Sequence, residues 1–127
     1  VIILAISPER LPPHLRSDLE RLSQVQEMLN NVVLRRQQYE IQLKEIESAI
    51  NELNAAPDDV VVFKSVGNIL VKTTKKKALE ELQEAKETIE LHIKTLQRQE
   101  SLLRKQLDDL RKKVQKELSE IRGEGGA

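Results

Sequence analysis

Apolar residues recur at alternating steps of three and four along two long stretches of this chain, the period of a helix stripe that packs in a supercoil against another helix. Leu22, Val25, Leu29, Val32, Tyr39, Leu43, Ile46, Ile50 and Leu53 form the first stripe, with Arg36 as its one interruption. Leu79, Leu82, Ile89, Ile93, Leu96, Leu103, Leu107, Leu110, Val114 and Ile121 form the second, interrupted by Lys86, Glu100 and Glu117. Between them lies a short β-branched stretch. The expected fold is therefore mostly α: two long antiparallel helices in a coiled coil, joined by a single β-hairpin. Such a chain exposes sides, edges and ends, so its function is expected in what it holds and not in a catalytic cleft.

Prolines and glycines set the boundaries. Pro12-Pro13 ends any preceding helix and presets the backbone for one that begins near His14. Pro57, in Asn54-Ala55-Ala56-Pro57-Asp58-Asp59, biases its predecessor out of the helical region and ends that helix. A helix of some forty residues is on the order of 60 Å long. The second helix is expected from Lys75 to Arg122, closing at Gly123. This divides the chain into an apolar, proline-containing leader (residues 1–13), helix one (14–56), a hairpin module (57–74), helix two (75–122) and a short tail (123–127). Glu90 with Lys94, Glu100 with Arg104, Asp108 with Lys112 and Asp109 with Lys113 are acid-first i,i+4 pairs, each worth about 0.2–0.5 kcal/mol to the helix.

Composition removes whole classes of function. With no cysteine in 127 residues there is neither a disulfide framework nor a thiolate metal site. Formal net charge is zero, so no overall field draws the chain to nucleic acid or to an anionic membrane. Only two aromatics among 33% charged residues argue against a compact core. His14 and His92 read as unpaired, solvated histidines, and neither a glycine-rich phosphate loop nor a His-Glu-x-x-His spacing occurs. No catalytic residue, cofactor or metal is expected. The leader Val1-Ile2-Ile3-Leu4-Ala5-Ile6 is far short of the roughly 20 residues a bilayer span needs and has no basic stretch before it, so a cytoplasmic location is expected. Lys72 and Lys75-Lys76-Lys77 form one concentrated basic patch. It reads as a solvated hinge, or as a feature that steers strands or an acidic partner.

The middle stretch carries the strongest local signal. Gly67-Asn68 suits a two-residue turn with glycine first, pairing Val66 with Ile69 and Lys64 with Val71. Apolar side chains occupy both alternating faces, Val60 and Val62 on one, Val61 and Phe63 on the other. A lone two-stranded ribbon is marginal in water and leaves edge amides and carbonyls unpaired. The hairpin is thus expected to recruit strands from other chains. The alternative is that it folds down onto its own helix roots.

Near the open end of the helix pair, Leu11, Leu15, Leu19, Met28, Leu29, Leu102, Leu103 and Leu118 are more apolar side chains than one narrow seam can bury. Leu15 with Leu19, and Leu102 with Leu103, cannot all point inward. Surplus apolar surface on a charged support is a low-specificity grip for unfolded chains, because apolar contact is non-directional and scales with area.

The run Asp59-Val60-Val61-Val62-Phe63-Lys64-Ser65-Val66-Gly67-Asn68-Ile69-Leu70-Val71-Lys72, set between two long helices, resembles the hairpin of the prefoldin family, and its beta type in particular, since the alpha type carries two hairpins. The resemblance implies an ATP-independent chaperone subunit. Two alpha-type and four beta-type subunits would join their hairpins into an intersubunit β-barrel body. Non-native client proteins would be held at coiled-coil tips and delivered to a group II chaperonin. On that pattern Val60, Val61, Val62, Phe63, Val66, Gly67, Ile69, Leu70 and Val71 would make the assembly contacts. Leu11, Leu15, Leu19, Leu22, Met28, Leu29, Leu102, Leu103, Leu107, Leu110, Leu118 and Ile121 would line the client-binding tips. A structural scaffold or tether that binds a folded partner is the alternative.

Overall fold

Leu15 and Arg16 both donate their backbone N–H groups to the carbonyl of Pro12, at 3.0 and 3.1 Å. Helix α1 (Pro13–Ala55) therefore begins with a proline in its first turn, where an absent donor has no helical partner to lose. The computed structural model describes residues 11–125. Its order is α1, β1 (Val62–Val66), β2 (Ile69–Thr73) and α2 (Lys75–Gly125). The apolar leader, residues 1–6, and the final two residues lie outside the described residues. Among those described, no helix is long and apolar enough to cross a membrane.

Helix α2 opens on a cap the charge pattern does not advertise. The Thr74 hydroxyl oxygen accepts from Lys77 N–H at 3.2 Å, and the Thr74 carbonyl accepts from Ala78 N–H at 2.9 Å. The first turn holds no acid to offset its three lysines. One of the three is accounted for elsewhere: the Lys75 ammonium reaches back to the Ala56 carbonyl at 2.8 Å, with Asp58 at 3.4 Å. That places a cation on the negative end of the α1 dipole, where it is favourable. Lys75→Met is expected to lower stability by about 1–2 kcal/mol, the usual worth of a charged hydrogen bond plus the dipole interaction. Lys76→Met, which removes an exposed cation from a helix start, should leave stability unchanged or slightly raised. Urea denaturation of the two variants checks the contrast.

Helix α2 runs through Gly123 to Gly125 instead of closing at Arg122. A glycine ends a helix by adopting the left-handed region, and among the described glycines only Gly67 does so. A right-handed glycine merely weakens a helix, by about 1 kcal/mol relative to alanine.

The chain divides into two compact units. The hairpin unit is Leu34–Gln97. Its strands pair antiparallel, Val62 with Thr73, Phe63 with Lys72, Lys64 with Val71, Ser65 with Leu70 and Val66 with Ile69, the register expected from the turn. Gly67 holds φ at +58°, a value that L side chains rarely adopt, so the turn needs glycine there. Val60 and Val61 precede the paired region, because Val60 N–H is committed to a turn onto the Pro57 carbonyl at 3.1 Å. In the helices of this unit Ile93 and Leu96 are buried. The Tyr39 ring stacks on His92 with centroids 5.0 Å apart and planes 8° from parallel. His92 is thus exposed but partnered, not the free histidine its sequence context suggests. The register lays it across from a seam aromatic.

The terminal unit comprises residues 11–33 and 98–125. Its core is Val25, Leu29, Leu103 and Leu107, flanked by Leu22, Val32, Val33 and Leu110. Leu15 and Val114 are buried as well. Arg111 donates to Gln26 at 3.2 Å, and Lys113 pairs with Asp18 at 3.2 Å, so the two helix segments of this unit run antiparallel. Two of the expected intrahelical pairs form, Glu100 with Arg104 at 2.7 Å and Asp108 with Lys112 at 3.0 Å.

Candidate assembly and capture surfaces

The hairpin presents its apolar residues to solvent. Val61, Phe63, Val66, Ile69, Leu70 and Val71 are between 46% and 69% exposed. Val62 and Thr73, the pair nearest the helices, are half-buried. Opposed residues of a ladder share a face, so Val66, Ile69 and Val71 lie on one side of the ribbon and Phe63 and Leu70 on the other. Both faces are open. Among the described residues the sheet has two strands, so each has one edge without a ladder partner. The alternative in which the hairpin folds down onto its own helices does not occur within this chain.

Lys64 tethers the ribbon to α2 through Glu81 at 2.8 Å. Both side chains are about half exposed, so the pair orients more than it stabilises. Beneath it, Ala49, Leu53, Ala56, Val60, Ala78 and Leu82 line an open apolar groove of about 680 Å³. The alanines let the backbone of any strand or loop entering the groove come close.

The terminal unit sorts its leucines. Leu15, Leu29, Leu103 and Leu107 are buried. Leu11, Leu19, Leu22, Leu110, Leu118 and Ile121 are half-buried. Met28 is 48% and Leu102 61% exposed. The crowding expected from the sequence is real: of the neighbours Leu102 and Leu103 one points out and one in, and so do Met28 and Leu29. Part of the expected capture set is thus core, and the open apolar surface falls to Met28, Leu102 and the half-buried leucines.

Polar interruptions of the seam find partners as well as water. Arg36, its side chain 19% exposed, donates to Glu40 at 2.9 Å. Glu100 accepts twice from Arg104. Asp18, which carries no periodic signal, and Glu117 each turn one oxygen away from solvent. Only the helix-to-helix register, which no single stripe encodes, shelters those two oxygens.

These features define a class: a coiled-coil subunit of two helices joined by one β-hairpin, with that hairpin uncovered in the single chain. A model described as "Prefoldin subunit" matches residues 16–120. The chain is 51% identical over 114 residues to prefoldin subunit beta of Pyrobaculum aerophilum, covering 90% of each. It is 42% identical over 119 residues to that of Sulfolobus acidocaldarius, covering 94% of this chain and 95% of the relative. The crystal structure of the prefoldin beta subunit from Thermococcus strain KS-1 superposes with a TM-score of 0.77 at 39% identity, covering 84% of this chain and 94% of that one. The chain belongs to the prefoldin family, as a beta-type subunit of the archaeal kind, and so to a family of non-enzymatic chaperone subunits.

Proposed function

We propose that this chain is one of four beta-type subunits that join two alpha-type partners through their hairpins into a β-barrel body. In this reading the assembly works in the cytoplasm, holds non-native proteins without ATP on the apolar surface of the terminal units, and delivers them to a group II chaperonin. One observation carries it: five large apolar side chains, with Val61 just ahead of them, stand open on both faces of a ribbon whose edges lack ladder partners among the described residues. Burying one Val, Leu, Ile or Phe side chain is worth about 1.5–3 kcal/mol, so covering the ribbon with neighbouring strands supplies a driving force on the order of 10 kcal/mol per subunit before ordering costs. The capture surface is assigned to Met28, Leu102, Leu11, Leu19, Leu118 and Ile121, with the buried leucines as its support. Each contact with a client is weak, and several terminal units on one body raise the affinity through local concentration.

The test is dilution of a chemically unfolded protein into buffer containing the chain and an alpha-type partner, followed by light scattering. Suppressed aggregation, equal with and without ATP and across unrelated clients, is the expected result. Binding to one folded protein with no effect on denatured ones would replace this reading with that of a tether.

A further inference from the structure

In the terminal unit Lys113 of α2 pairs with Asp18 of α1, and Glu117 follows Lys113 by one helical turn, which puts the Asp18 and Glu117 carboxyl groups on the same stretch of the helix pair. Asp18 Oδ2 and Glu117 Oε2 are both cut off from solvent, and neither has a hydrogen-bond donor. Lys113 lies 3.2 Å from each oxygen of Asp18, but its geometry makes a hydrogen bond only to Oδ1. Two sheltered carboxyl oxygens side by side are unfavourable when both groups are ionised, and one proton held between them satisfies both. We propose that Asp18 and Glu117 form a proton-operated latch between the start of α1 and the end of α2, closed when a protonated Glu117 donates to Asp18 and loosened when Glu117 is ionised.

The charges around the pair favour that assignment. Burial pushes the Glu117 carboxyl above the ordinary glutamate range, and the neighbouring Asp18 carboxyl pushes the same way. The His14 ring on α1 and the Lys113 ammonium on α2 face it, and both oppose the shift. A group whose pKa is raised by folding contributes stability that is complete below its unfolded value and is lost as pH climbs through the folded one. The latch therefore closes below the folded pKa of Glu117 and loosens as pH climbs through it. Leu15, buried one turn from Asp18, and half-buried Leu118, next to Glu117, are the apolar groups it controls. Under the proposed capture role, which this consequence rests on, loosening above that pKa adds apolar surface to the grip.

Glu117→Gln tests the latch, because its amide supplies the missing donor to Asp18 at any pH. At pH 7.5, the backbone amides of residues 15–19 and 114–118 in Glu117→Gln should exchange with solvent about three- to tenfold more slowly than in the wild type, with hairpin amides unchanged. Carbon-detected NMR of the wild-type chain should show the Glu117 carboxyl titrating above the ordinary glutamate range. Ordinary titration together with unchanged exchange in Glu117→Gln would overturn the proposal. Exchange needs no client, so the two readings fail separately. Slower exchange with reduced capture supports both, whereas slower exchange with unchanged capture supports the latch and shows that capture does not depend on its opening.

Discussion

Phe63→Thr combined with Leu70→Thr is expected to leave the chain folded and unable to assemble. Both side chains occupy the same face of the ribbon, more than half exposed, and contribute nothing to the cores of the hairpin or terminal unit. Threonine supplies a β-branched side chain of the kind a strand favours, so the Val66-to-Ile69 turn and the ladder survive. What disappears is the apolar area a neighbouring strand would cover. Losing two such side chains removes about 3–6 kcal/mol of burial per subunit, which converts to a roughly 10²- to 10⁴-fold weaker contact. Sedimentation or native mass measurement, with the alpha-type partner present, should show the hexameric mass replaced by free subunits, while circular dichroism keeps its full helical signal. An unchanged assembly mass would mean that the ribbon is not the joint, and the proposed β-barrel body would have to be given up.

How far such behaviour can be read from the sequence depends on the range of the interaction involved. The hairpin register was legible because Gly67-Asn68 determines it within two residues, and the start of α1 because Pro12-Pro13 does the same. The seams were legible because apolar periodicity repeats many times over. The groups that escaped notice act between helices: Lys75 on the Ala56 carbonyl, Tyr39 stacked on His92, and Asp18 against Lys113 and Glu117. Each depends on rotating two helices to within a fraction of a turn, and a heptad count is blind to that. The end of α2 escaped for a local reason, since Gly123 takes no left-handed turn. The proposed capture surface falls between these cases. Its excess of leucines is plain in the sequence, but which of two adjacent residues points outward is decided by packing.

That division between outward and inward neighbours makes the capture assignment separable from stability. Leu29→Ala removes a buried side chain from the cluster it forms with Val25, Leu103 and Leu107. Truncation of a packed leucine costs about 2–5 kcal/mol, so the terminal unit should melt earlier and lose capture as a consequence of unfolding. Met28→Ser with Leu102→Ser changes only exposed positions, where substitutions shift stability by within about 0.5 kcal/mol. The double variant should keep the wild-type melting curve and assembly mass, yet suppress aggregation less well at every ratio of chaperone to client. The deficit should be larger than the loss at one terminal unit implies, because every beta-type subunit of the proposed assembly carries it and the contacts multiply. Melting curves measured beside light scattering distinguish the two variants. If Met28→Ser with Leu102→Ser captures clients as well as the wild type does, the grip lies on other apolar surface, and Leu34, Ile41 and Leu91, the exposed large apolar residues on the helices of the hairpin unit, become the positions to change next.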